Sequence, residues 1–192
     1  MNPNKIFYTG NLQIDLLNNC LTFFNDNTIL QNNNLEENNY ILLTVHRHYN
    51  TNQLALKELF DQLAIINEII FFPCHPRTKK IILDNKINIP SNIIIHDPVN
   101  YLEMQILERY CKLVITDSGG VQVESAFLSK KCLILRSETE WVEILHPEFC
   151  ELCEINNLSK NLFRLLKSSI QIPKPLIPNC GEEIVKIIYD KI

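Results

Sequence analysis

Short, continuous apolar runs separated by amphipathic stretches constrain this chain more than any other feature. Ile41-Leu42-Leu43-Thr44-Val45, Ile69-Ile70-Phe71-Phe72, Asn92-Ile93-Ile94-Ile95-His96, Leu113-Val114-Ile115-Thr116 and Cys132-Leu133-Ile134-Leu135 lack the polar alternation of a strand with one wet face, so they read as strands buried on both sides. Between the first two lies a helix expected over Gln53–Ile66, where Leu56, Leu59, Phe60 and Leu63 recur at i, i+3, i+4 and i+7. Further helices are expected near 78–85, 101–110, 121–128, 158–168 and 182–189. Buried strands alternating with helices predict an α/β domain, a doubly wound Rossmann-like parallel sheet from about residue 38 to 170. Such sheets bind ligands at the carboxyl ends of their strands. Ahead of it, Ile6–Asn11 reads as a strand and turn, an amphipathic stretch runs to Phe24, and asparagine-rich Asn25–Asn39 reads as an exposed linker.

Composition removes several classes of function. The 192 residues are 46% hydrophobic and 21% charged, which is ordinary for a globular chain. A net charge of −4 gives no footprint for nucleic acid or an anionic membrane surface, so neither is expected as a partner. The Leu63–Phe72 stretch is broken by Asn67 and Glu68 and is too short to span a bilayer. The first eight residues lack the basic and apolar regions of a signal peptide, and seven irregularly spaced cysteines fit reduced thiols, so a cytoplasmic protein is expected. One Cys-x-x-Cys occurs, Cys150–Cys153, with only His146 nearby; no metal is expected there. No cofactor is expected either.

Four strand ends carry the chemistry. After Thr116 the chain reads Asp117-Ser118-Gly119-Gly120-Val121-Gln122-Val123-Glu124. Free amides at a helix start, with glycines that admit an anion closely, make a phosphate site; the same residues also fit a plain strand–turn–helix capped by Ser118. Glu124 falls between Phe127 and Leu128 on the helix circumference, a carboxylate on an apolar arc. Its partners are either the hydroxyls of a ribose or an internal cation. His46-Arg47 closes the first core strand and offers a proton shuttle and a phosphate clamp. His75 sits between two prolines after the second core strand, and Arg136–Glu143 follow the last; a surface turn and a solvated charged loop are the plainer readings of these two.

Together with Thr9-Gly10-Asn11-Leu12-Gln13-Ile14-Asp15, Asp97-Pro98-Val99-Asn100-Tyr101-Leu102-Glu103-Met104 and Thr139-Glu140-Trp141-Val142-Glu143, these segments resemble the non-hydrolysing UDP-N-acetylglucosamine 2-epimerase family. The resemblance implies the second, UDP-binding lobe of a two-lobed glycosyltransferase-B-type fold, with residues 1–37 the end of the first lobe and a linker, and 38–192 the UDP-binding lobe with C-terminal helices. It implies interconversion of UDP-GlcNAc and UDP-ManNAc, or of a related UDP-2-acetamido sugar, by elimination and re-addition of UDP. It places Ser118, Gly119 and Gly120 on the diphosphate, Glu124 on the ribose, Arg136 and His75 beside the nucleotide, and Met104 against the uracil. His46, taken as the catalytic residue, faces the diphosphate or sugar with Arg47, and Thr139 and Glu140 complete the substrate contacts. The carboxylates that handle the C2 proton belong to the first lobe, so weak or absent epimerase activity is expected of this chain alone. Its partners are then a UDP-sugar substrate and a separate first-lobe chain or a second copy of itself. Trp141 replaces a usual arginine, as in members acting on other UDP-2-acetamido sugars. Two alternatives remain at this point: the donor-binding lobe of a B-type glycosyltransferase, and a non-catalytic nucleotide-sugar-binding fragment.

Overall fold

The computed structural model describes residues 6–20, 27–170, 172 and 179–191. Six parallel strands form one sheet: β1 (Tyr40–Thr44), β2 (Ile69–Pro73), β3 (Ile93–His96), β4 (Leu113–Thr116), β5 (Lys131–Ile134) and β6 (Cys150–Leu152). Their order is β3-β2-β1-β4-β5-β6. Helices α1 (Leu12–Cys20) and α2 (Thr28–Asn32) precede the sheet. Helices α3 (Gln53–Ala64), α4 (Pro76–Asp84), α5 (Tyr101–Tyr110) and α6 (Gly119–Phe127) cross between strands, and α7 (Leu158–Lys167) and α8 (Cys180–Lys191) follow. The doubly wound α/β architecture is the one expected from the sequence.

Side-chain alternation along each strand splits the core in two. Ile41, Leu43, Ile70, Phe72, Leu113, Ile115 and Leu133 face α3, α4 and α7. Tyr40, Leu42, Phe71, Val114, Cys132 and Ile134 face α1, α2, α5 and α6. At roughly 25 cal/mol per Å² of apolar surface buried, two full layers of Ile, Leu and Phe supply the bulk of the folding free energy. Helix starts are fixed locally. Asn52 accepts the Ala55 N–H at 3.0 Å, Pro76 opens α4, and Asn100 with Glu103 forms a reciprocal capping box on α5.

Three local expectations need correction. Ile6–Asn11 forms no strand: the segment joins neither edge of the sheet, and Ile6, Phe7 and Tyr8 are exposed. In the expected linker, residues 25 and 26 lie outside the described residues, but Thr28–Asn32 is helical, and Ile29, Leu30 and Leu35 are buried against the α5 side of the core. The asparagines there do turn chemistry instead: Asn34 and Asn38 hold φ of 52° and 58°, a region asparagine tolerates better than most residues. Finally, β6 is an additional edge strand. It is three residues long with Glu151 at its centre, so no apolar run announces it. It also explains the Cys-x-x-Cys: Cys150 packs on one face of the sheet and Cys153 on the other, a placement in which the two thiols cannot ligate one ion. No helix among the described residues is long and apolar enough to cross a membrane.

Candidate functional site

The strand order reverses between β1 and β4, and in doubly wound sheets the crevice at that reversal is where ligands sit. Register pairs Thr44 with Thr116 as the last residues of these strands. Their hydroxyls lie 2.7 Å apart, and the Ser118 N–H donates to Thr116 Oγ1 at 3.0 Å. The two strands therefore end level, and their loops emerge side by side.

Asp117 holds those loops together. It is fully buried. Its carboxylate accepts the main-chain N–H of His46 at 3.1 and 3.2 Å and of Arg47 at 2.9 Å, and the Asn50 side-chain amide at 3.0 Å. His46 Nδ1 lies 3.3 Å from Asp117 Oδ1. A carboxylate there favours the tautomer protonated at Nδ1 and leaves Nε2 as the acceptor on this half-exposed ring. Arg47 Nε donates to the Asp117 carbonyl at 2.8 Å, and Asn50 also donates to the Leu135 carbonyl at 2.9 Å, tying β5 to the same knot. The role of Asp117 was not read from the sequence. A carboxylate directly after the buried Leu113–Thr116 run, next to a Ser-Gly-Gly turn, was the available signal.

Beyond the strand ends lies a cleft of about 280 Å³ lined by Thr44, Val45, His46, His75, Met104 and Ser118, with Pro73, Pro98, Val99 and Val121 as its apolar wall. No carboxylate lines it. At its floor α6 begins at Gly119 with Ser118 as N-cap, whose Oγ accepts the Val121 N–H at 3.4 Å. The amides of Gly119 and Gly120 donate to no described residue. Two side chains lie over these glycines: an added Cβ would come 2.8 Å from Glu140 Oε1 at Gly119 and 2.7 Å from Gln13 Nε2 at Gly120. Glu140 also pairs with Arg136 at 2.9 Å. Its carboxyl is held below the usual carboxylate range, first by its own main-chain N–H and then by Arg136, with Arg47 adding to the effect. Chemically, the arrangement offers an apolar slot for a flat ring beside amides and cations suited to a multiply charged anion.

Comparison with known proteins decides what shares this arrangement. A family model for UDP-N-acetylglucosamine 2-epimerase matches residues 1–183. The chain belongs to the UDP-N-acetylglucosamine 2-epimerase family. It is 42% identical over 145 residues to a UDP-N-acetylglucosamine 2-epimerase homolog of Methanococcus maripaludis, covering 72% of this chain and 41% of that one. It is 37% identical over 113 residues to the UDP-2,3-diacetamido-2,3-dideoxy-D-glucuronate 2-epimerase of Pseudomonas aeruginosa, covering 57% of this chain and 31% of that one. It superposes on the crystal structure of Methanocaldococcus jannaschii UDP-GlcNAc 2-epimerase, solved in complex with UDP-GlcNAc and UDP, with a TM-score of 0.86 at 32% identity, over 99% of this chain and 56% of that one. The chain spans about half the length of the curated relatives it matches.

Against this 2-epimerase background the expected site residues fall into three groups. His46, His75, Met104 and Ser118 line the one cleft. Arg47, Gly119, Gly120, Arg136 and Glu140 sit at or beside its rim, Arg136 lining a neighbouring cleft of about 330 Å³ with Tyr49 and Asn50. Thr139 turns away from the cleft lining and donates to Gln122 Oε1 at 2.7 Å, an interaction the sequence did not suggest. Glu124 stands apart, 3% exposed behind the cleft. It meets no cation among the described residues; Tyr101 Oη donates to its Oε1 at 3.3 Å.

Proposed function

We propose that this chain is the UDP-binding half of a UDP-2-acetamido-sugar 2-epimerase, with residues 38–192 as the nucleotide lobe and 1–37 as the link to the first lobe. The observation that carries the proposal is the pair of unengaged amides at Gly119 and Gly120, opening off the sheet's reversal point beside the His46–Met104 cleft. The diphosphate lies over those amides, the uracil enters the apolar slot against Met104 and Val99, and Glu124 takes the ribose hydroxyls. When the sugar C1–oxygen bond breaks, charge develops on the β-phosphate. The α6 amides, the helix dipole and Arg47 meet that charge where it forms. His46, oriented by Asp117, presents Nε2 to the leaving diphosphate and donates a hydrogen bond to it when the ring is protonated. Removing the C2 proton requires a base, and this reading assigns it to the other lobe.

Titration calorimetry of the 192-residue chain with UDP and with uridine tests the reading. UDP is expected to bind at least about tenfold more tightly than uridine, because the diphosphate contacts contribute on the order of 1.4 kcal/mol or more. Absence of UDP binding overturns it. Glu124→Ala is expected to weaken UDP by about 1–3 kcal/mol, and unchanged affinity removes Glu124 from the site. Combined with a first lobe and UDP-GlcNAc in deuterated water, an epimerase places solvent deuterium at C2; a glycosyltransferase does not.

A further inference from the structure

The seam between α5 and α6 holds buried polar groups that the cleft does not use. On α5, Tyr101, Gln105 and Glu108 recur at i, i+4 and i+7 and so share one face. Gln105 and Glu108 have no exposed surface, and from α6 Glu124 and Ser125 are 3% and 0% exposed. The Glu108 and Glu124 carboxyls meet within hydrogen-bond reach, yet neither Glu108 oxygen receives a donor, and the Gln105 amide and Ser125 hydroxyl are also without partners among the described residues. The titratable groups facing Glu108 are Glu124 from α6, Tyr40 from β1, Cys132 from β5, and Tyr101 and Cys111 of its own helix and its end, none of them a cation. Lys130, beyond the end of α6, donates to the Cys111 carbonyl at 2.9 Å.

Two carboxylates side by side in a dry seam repel each other and leave up to eight lone-pair sites with few donors. One proton between them removes the repulsion and turns an acceptor into a donor. Burial, and after it Glu124, pushes the Glu108 carboxyl well above the usual carboxylate range. We propose that Glu108 is a positioning residue for the nucleotide site: its carboxyl O–H donates to Glu124 and, together with Tyr101 Oη, fixes the Glu124 carboxyl at the angle at which it receives the ribose hydroxyls. The inference rests on the assignment of Glu124 to the ribose made above. It extends the site one layer inward, to a helix that touches the ligand only through Met104.

The test uses the full chain with Glu108→Gln and Glu108→Met, which keep the side-chain length and differ in the ability to donate. UDP and 2′,3′-dideoxy-UDP are the ligands in titration calorimetry. Glu108→Met is expected to weaken UDP about tenfold, Glu108→Gln to recover most of that loss, and neither to change dideoxy-UDP by more than about twofold, since tenfold corresponds to the roughly 1.4 kcal/mol of one charge-assisted hydrogen bond. Wild-type affinity for UDP is expected to fall as alkaline pH removes the shared proton, and the Glu108→Gln profile to stay flat over the same range. Equal UDP affinity in Glu108→Met and wild type, or equal loss for both nucleotides, overturns the proposal. A second readout needs no ligand: the infrared carbonyl band of a protonated carboxyl, present in the wild type at neutral pH, is expected to vanish in Glu108→Gln and to shift in Glu124→Gln. Its absence from the wild type also overturns the proposal. If the wild type binds neither nucleotide, the UDP reading itself fails and the positioning role with it, while the band still decides whether the two carboxyls share a proton.

Discussion

Asp117 and Glu108 are both shut away from solvent, one at the carboxyl end of β4 and the other between α5 and α6, and they are partnered in opposite ways. Asp117 gathers two main-chain amides, the Asn50 amide and an imidazole. Glu108 gathers only another carboxyl. A buried acid surrounded by donors organises the backbone around it, because each donor would otherwise lose its partner in a dry place. A buried acid facing an acid organises a proton. The first builds the rim of the crevice; the second lies behind it, against Glu124.

The comparison breaks most visibly at Asp117. Asp117→Ala leaves the main-chain donors of His46 and Arg47 without a partner and costs Asn50 one of its two, and is expected to cost about 3–5 kcal/mol of stability, read from the denaturant midpoint, together with loss of UDP binding. A loss under about 1 kcal/mol would show that the loops do not depend on this knot. Glu108→Gln is expected to act in the other direction. The folded-state affinity of Glu108 for its proton is raised, so its favourable contribution is complete below its ordinary pKa of 4.5 and is lost as pH rises above it. Thermal unfolding of the wild type is therefore expected to weaken between pH 5 and pH 8. Glu108→Gln flattens that trend and is more stable than the wild type at the alkaline end; parallel pH profiles for the two proteins would remove the contrast between the acids. The smallest effect sharpens the geometry. Thr44→Val breaks the 2.7 Å hydroxyl contact that levels β1 and β4, and about 1 kcal/mol of destabilisation is expected, with a comparable loss for UDP.

The layout of the sheet was legible because unbroken apolar runs mark five of the six strands; β1, β2, β4 and β5 are buried on both faces as expected, whereas β3 lies at the sheet's edge with Ile94 exposed, so its apolar run overstated its burial. β6 was not legible, because an edge strand of three residues with Glu151 in the middle presents no such run. The strand-end clusters were legible as one edge of one sheet, since parallel topology brings every βα turn to the same side. What pairing arithmetic along the chain cannot convey is which groups meet across it. Asp117 reaches back 67 residues to Asn50 and 71 to His46, and Glu108 meets a carboxyl on the next helix. The asparagine-rich segment misled for a related reason: its polar residues make turns, while Ile29, Leu30 and Leu35 anchor it to the core.

The side chains of Glu140 and Gln13 resting over Gly119 and Gly120 have a consequence for how a ligand arrives. In the site proposed above, an incoming phosphoryl group would trade places with a carboxylate already held by Arg136. Swinging a rim side chain aside takes nanoseconds or less, so this exchange does not throttle the encounter. It sets a threshold instead. Under the proposed reading a monoanion would merely replace one negative charge with another at the same guanidinium, whereas a pyrophosphate would bring charge to spare, so the covered glycines would favour the higher valence before any sugar or base is read.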